Sequence, residues 1–257
     1  MLFFFLFFSE ICLTLFENLR ATLKRLPPNN RRMSMTHKKI TVGEEIRSVC
    51  PDFVGAAVYA TFRNSEFSAP LWDEINRFLD DYRKKYTVDS LKEMPSIQAT
   101  RQVYKLCGKD PSRYRPSGEA LVRRTLQGKD LYRVSTSVDL INLASIAYGY
   151  SIGGFDADKI VGDELVLGVG KEGEPYEGIG RGMLNIQGLP VYRDAVGGIG
   201  TPTSDNERTR MELSTTHLLA IVNGYDGNRA EVEACAQYIL ELMQQFAASD
   251  EGEIELF

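Results

Sequence analysis

The chain has 257 residues, 43% of them hydrophobic and 25% charged, enough for one large core or two modest ones. Its formal net charge of −5 excludes holding nucleic acid by bulk electrostatics alone, so any such contact must come from local patches. Four scattered cysteines (Cys12, Cys50, Cys107, Cys235) and two histidines (His37, His217) suggest neither a disulfide framework nor a zinc site, and they weigh against a His-centred triad. A reducing, cytoplasmic compartment with no metal and no cofactor is the expectation.

In chain order, residues 2–8 are apolar, but the positive charges (Arg20, Lys24, Arg25, Arg31, Arg32) lie downstream of them. That is neither a secretory signal nor a span of about 20 apolar residues. Residues 1–36 therefore read as a doubtful or disordered leader, and a membrane contact arises only if residues 1–32 are genuine and act as an interfacial anchor. Residues 37–249 read as a single domain and 250–257 as an acidic, solvated tail.

Ile40 to Val42 and Phe53 to Phe62 read as strands. Ser68-Ala-Pro70 signals a helix start, and Leu71, Trp72, Ile75, Phe78, Leu79 and Tyr82 recur at helical spacing through about Tyr86, a stripe assigned to core packing. Gln98 to Leu106 reads as a helix, followed by breaks at Asp110-Pro111 and Arg115-Pro116 and a plain cap at Ser117. Between Arg101 and Arg133 nine Lys or Arg stand against three acids, interleaved with Tyr104, Tyr114 and Tyr132. This is either a contact for a phosphate backbone with exposed bases, through Arg113, Arg115, Arg123 and Arg124, or a solvated helix pair.

Ser135 to Tyr148 reads as an apolar helix stopped by Gly149, with a polar row of Asp139, Asn142 and Ser145 that must find hydrogen bonds. Strands are expected at Leu165 to Val169, Tyr176 to Ile179, Leu189 to Val196 and Leu218 to Val222. Gly168-Val-Gly170-Lys-Glu-Gly173 has the letters of the dinucleotide fingerprint, but Pro175 follows and no helix opens, so it reads as a hairpin. Asn228 begins a last helix, with Glu231 placed to complete a capping box.

The richest polar chemistry lies in residues 192–213, where Gly197, Gly198 and Gly200 precede Thr201-Pro202-Thr203 and a run of acids and arginines. Taken alone, the stretch is either a ligand site on a stiff loop or a charged surface hairpin.

Residues from about 40 to 245 resemble a free-standing B3/B4 domain, the editing module of the bacterial phenylalanyl-tRNA synthetase beta subunit. The carrying features are Val138-Asp139-Leu140-Ile141-Asn142, Gly149, Gly154-Phe155-Asp156, Asp163-Glu164-Leu165, Gly197-Gly198 and Thr203-Ser204-Asp205. The resemblance implies an α+β fold, a three-layer arrangement of packed mixed sheets with helices on one side. It further implies hydrolysis of a misacylated tRNA ester, with a non-catalytic tRNA or amino acid binding module as the alternative, and no complete phenylalanine–tRNA ligase. The implied partners are the aminoacylated end of tRNA or an amino acid, with no DNA.

Carried over, Gly197 and Gly198 would supply backbone donors and Asp205 or Glu207 would hold water or the ligand's amino group. Asn142, Gly153, Gly154, Ile199, Thr203 and Ser204 would line the substrate, and Arg208 and Arg210 would meet phosphate. Three positions depart from the synthetase pattern: Ile141 replaces a threonine, Gly153 a histidine and Ile199 an acid. The groups that would recognise a tyrosyl hydroxyl are mostly gone, which implies a different amino acid or no catalysis.

Overall fold

A computed structural model describes residues 37–257. The expected leader, residues 1–36, lies outside them. Two sheets face each other. The first has the order β1 (Lys39–Val42), β4 (Glu164–Val169), β7 (Pro190–Arg193), β8 (Gly198–Thr201), β9 (Ser204–Asp205), and only its β1–β4 pair is parallel. The second is antiparallel in the order β11 (Gly252–Leu256), β2 (Val54–Thr61), β10 (His217–Gly224), β3 (Ile152–Asp156). A short ribbon, β5 (Glu177–Gly178) with β6 (Gly182–Met183), stands apart.

Strand periodicity explains the layers. On β2 and β10, Ala57, Tyr59, Leu219 and Ile221 turn toward the first sheet and meet Ile40, Leu165, Leu167, Tyr192 and Ile199 in the main core. The alternate residues, Ala56, Val58, Ala60, Leu218, Ala220 and Val222, are just as buried. They lie against the helical layer, where α5 (Thr136–Tyr148) packs beside β3 and α6 (Arg229–Phe246) covers β2 and β10. A strand covered on both faces reads as a continuous apolar run, which is how β2 and β10 look in the sequence. By contrast β4 alternates, with Glu164 and Val166 outward, because the far face of the first sheet meets solvent.

The helical layer is completed by α2 (Ala69–Lys85) and α4 (Ser117–Leu126), while α3 (Pro95–Leu106) flanks the sandwich and sends Val103 and Tyr104 inward. A short α1 (Glu44–Arg47) follows β1 and buries Ile46. The α2 stripe is buried at Leu71, Trp72, Ile75, Leu79 and Tyr82, and the Ser68 side chain caps it by accepting from the Leu71 amide. The architecture is α+β, with mixed sheets flanked by helices.

Several local expectations change. Ser117 is the first residue of α4 rather than its cap; its amide donates to the Pro202 carbonyl. Asn228 does cap α6 by accepting from the Glu231 amide, but the Asn228 amide is bonded to Asp226, so the reciprocal half of the box is not made by Glu231. The strand at 189–196 ends at Arg193 because the Asp194 carboxylate folds the chain back by accepting from the Val196 and Gly197 amides. The acidic tail becomes edge strand β11, with Glu253 and Glu255 in register with β2. Its Glu-Ile-Glu-Leu sequence alternates with period two, and the pairing also seats the Phe257 ring over Gly55, where a Cβ would lie 2.3 Å from it.

Candidate functional site

The hairpin from β8 to β9 places one acid between the two sheets. Thr201 Oγ1 accepts from the Thr203 and Ser204 amides (3.2 and 3.1 Å) and donates to the Ser204 carbonyl, closing a rigid turn around Pro202. The Tyr176 hydroxyl donates to the same Ser204 carbonyl at 2.7 Å. Thr203 is buried, donates to the Tyr114 carbonyl (3.0 Å) and shares a hydrogen bond with the Tyr104 hydroxyl (2.9 Å). Its hydroxyl is thus committed to the scaffold and orients the hairpin rather than a substrate. The Ser204 hydroxyl turns back on the Asp205 carbonyl.

Asp205 follows. It reaches the free edge of β3, where its Oδ2 accepts from the Gly154 amide at 3.0 Å. Its Oδ1 makes no hydrogen bond among the described residues and lies over glycine backbone from both sheets. A Cβ built on Gly153 would stand 3.4 Å from Oδ1, and one on Gly200 3.1 Å from it. Both would also strike the Phe155 ring, at 2.7 and 2.5 Å, so the glycines at 153 and 200 make room for that ring and the carboxylate together. On the other face of β3, Gly154 is bounded by the ends of Ile141 and Met211. Next to Ile141 on α5, Asn142 is half-buried and its amide makes no hydrogen bond among the described residues.

Asp205 retains some exposure yet is surrounded closely by protein. That enclosure pushes its carboxyl up to about 7, against the opposing pull of the Gly154 amide. A carboxylate with one oxygen free and near-neutral titration can exchange a proton at physiological pH or hold a cationic group.

The remaining residues of the 192–213 stretch are largely tied to one another. Asp194 collects the Val161, Val196 and Gly197 amides and both terminal nitrogens of Arg208 (2.9 and 2.8 Å). Burial alone would raise its carboxyl, but Arg208 and the three amides hold it below the usual range. The Gly197 amide is therefore engaged, and the backbone-donor role expected of it is not free for a ligand. Gly198 is buried in β8 against the Tyr176 ring, and Ile199 is fully buried in the main core rather than lining a site. Glu207 accepts from the Gly180 amide and pairs with Arg210, which also meets Glu212.

The basic stretch divides in two. Glu119, 2% exposed, gathers Arg101, Arg115 and Arg123 within 2.8 to 3.5 Å. Arg113 is exposed and lies beside the Tyr114 ring. Arg124 instead donates to the Asp130 carbonyl and lies 4.1 Å over the Tyr132 ring. Of the three interleaved tyrosines, Tyr104 is wholly buried, Tyr114 is half-buried under the Lys109 ammonium, and only Tyr132 stands in solvent. The polar row of α5 also separates: Asp139 accepts from Trp72 Nε1 and the Val134 amide, and Ser145 donates to the Tyr150 carbonyl.

Among the described residues no group of three or more His, Cys, Asp or Glu is placed to hold a metal ion, and no helix is long and apolar enough to cross a membrane. Cys50, Cys107 and Cys235 form no disulfide among the described residues, and burial pushes the Cys50 thiol up to about 11.

A family model described as the B3/4 domain matches residues 99–247, more than half of the chain. The chain belongs to the B3/4 domain family. The match covers both strands of the Asp205 hairpin and the β3 edge that it bonds, so Asp205 lies within the part of this B3/4 domain that the family shares. No curated protein matches. Among solved structures the chain is similar to a crystal structure of an N-terminal fragment of the phenylalanyl-tRNA synthetase beta-subunit from Pyrococcus horikoshii, with 16% sequence identity and a TM-score of 0.43. The similarity covers 92% of this chain and 55% of that one, so the chain spans about half of the fragment. Likeness at that level carries no functional argument.

Sequence reasoning named Asp205, Gly153 and Gly154 for a site and quoted Phe155 and Gly200 without giving them a role in it, but missed strand β3 and the place of Met211. The signal for β3 was Ile152 and Phe155 flanking the two glycines, which hide the alternation that marks a half-buried strand.

Proposed function

We propose that the protein binds the aminoacylated end of a tRNA and hydrolyses the ester of a misacylated one, with Asp205 as the proton acceptor. The observation that carries this is the single carboxylate between two glycine-lined strand edges with Oδ1 unbonded, whose carboxyl burial pushes up to about 7. Water held at Oδ1 would give its proton to the carboxylate as its oxygen bonds to the ester carbonyl carbon. The bond from that carbon to the ribose oxygen then breaks, and the proton passes from Asp205 to the leaving hydroxyl. The ends of Ile141 and Met211 border the opposite face of β3 from Oδ1, so neither they nor the neighbouring Asn142 is assigned a contact with the ester.

The test is release of amino acid from a panel of mischarged tRNAs. Acceleration over the buffer rate with at least one of them is expected, lost in Asp205→Asn; a panel that hydrolyses only at the buffer rate defeats the proposal.

A second reading, retention of tRNA or amino acid without turnover, is favoured by one observation: the Gly197 amide is already occupied by Asp194. A thermal-shift screen run beside the hydrolysis panel separates the two: a ligand bound by the folded state raises the melting temperature, and such a rise without release of amino acid selects retention.

A further inference from the structure

We propose that the surface formed by Phe67, Tyr132, Arg124 and Arg133 is a stacking platform for the unpaired bases of a single-stranded RNA end. It rests on the tRNA reading above and deepens it by assigning where a strand is held. Tyr132 is 71% exposed and Phe67 48%, high values for aromatic side chains. Each ring carries a guanidinium: Arg124 lies 4.1 Å from the Tyr132 centroid and Arg133 5.1 Å from that of Phe67, with Trp72 4.8 Å away beneath.

Arg124 and Arg133 differ from Arg101, Arg115, Arg123, Arg208 and Arg210, which all pair with carboxylates. Neither of the two comes within ion-pair distance of a carboxylate among the described residues, although buried Asp139 feels the Arg133 charge from farther away. Rings for base faces interleaved with unneutralised cations suit RNA whose bases are unstacked, whereas a duplex hides those faces.

The platform is held firmly. Trp72 Nε1 and the Val134 amide are both bonded to buried Asp139 (2.8 and 3.1 Å), fixing the floor and the segment that carries Tyr132 and Arg133. It is also tied to the chain beyond β9. The Thr136 amide donates to the Ser65 carbonyl, Asn64 Nδ2 donates to the Glu212 carbonyl, and the neighbouring Met211 borders Gly154, whose amide holds Asp205. These bonds tie the segment that carries Tyr132 and Arg133 to the chain that carries Met211.

The experiment uses the full chain with a short uncharged RNA ending in CCA, alone and annealed into a blunt duplex. Binding is followed by the emission of Trp72, the one tryptophan in the sequence, and by anisotropy of a labelled RNA. Expected are binding of the single strand in preference to the duplex, a change in Trp72 emission, and about tenfold weaker binding for Tyr132→Ala and for Phe67→Ala. Tyr132→Phe should bind nearly as the parent does, since it keeps the ring.

Equal binding of strand and duplex, binding of neither, or unchanged affinity in both alanine variants with intact circular dichroism overturns the platform. Failure of the catalytic reading looks different: RNA held through these residues with no mischarged tRNA hydrolysed leaves the platform standing. Hydrolysis at unchanged KM in the double alanine variant removes the platform and leaves the catalysis.

Discussion

At residue scale, Asp205 sets a conflict between stability and chemistry. Its carboxyl titrates near 7 in the folded protein against 3.8 in the unfolded chain, so between those values the folded state binds more protons. Stability contributed by this group is therefore full below pH 3.8 and is lost as pH rises toward 7. Asp205→Asn keeps an oxygen for the Gly154 amide and removes the buried charge. It should raise stability at pH 8 by roughly 1–3 kcal/mol and leave pH 4 nearly unchanged, as thermal melts at the two values would show. If the proposed hydrolysis occurs, its rate should climb through pH 7 as the carboxylate forms, with loss of the climb in the variant.

Gly153 illustrates what one residue can and cannot say. From the sequence it is a histidine lost from the synthetase pattern; in the fold it is a position that Phe155 and Asp205 have filled. Gly153→Ala should cost roughly 1–3 kcal/mol through overpacking. Phe155→Leu should relieve part of that cost, and a denaturant double-mutant cycle would reveal the coupling. No coupling would mean that the ring does not decide the glycine.

At element scale, α4 depends on a buried carboxylate beneath three arginines. Glu119→Gln leaves Arg101, Arg115 and Arg123 facing one another in a poorly solvated place, and a loss of about 3–5 kcal/mol is expected in urea unfolding. The partial exposure of the arginines lets water moderate this, so the lower end is the firmer expectation. Strand β11 covers the edge of β2 and brings Phe257 onto Gly55. Truncation after Ser249 should lower the melting temperature and promote self-association, seen by light scattering, because β2 would then present an apolar free edge. Helix stripes were legible element by element because their period of 3.6 is strong over many residues. β3, β8 and β9 were not, since they are short, rich in glycine and defined by partners distant in sequence.

At the scale of the whole molecule, a net charge of −5 must coexist with any RNA contact. If the contact runs through Arg124, Arg133 and the nearby exposed Lys129, the logarithm of affinity should fall against the logarithm of salt with a slope of about −2. A slope near zero in a salt titration would mean that these cations neutralise no phosphate.

The α+β class came from the resemblance to the B3/B4 family; the sequence by itself determined the apolar strands β2 and β10, the apolar faces of α2 and α6 and the concentration of polar groups in the 192–213 stretch. Those follow from local periodicity and turn chemistry, which need no knowledge of distant residues. Only the tertiary structure decided which polar groups of that stretch are spent and which are free. Arg208, the Gly197 amide and Thr203 are satisfied by Asp194, Tyr114 and Tyr104, partners up to 99 residues away, while Asp205 Oδ1 is left over. A hydrogen bond is a relation between two places in space, so the sequence can name the donors and acceptors of a site but not which of them remain open to a ligand.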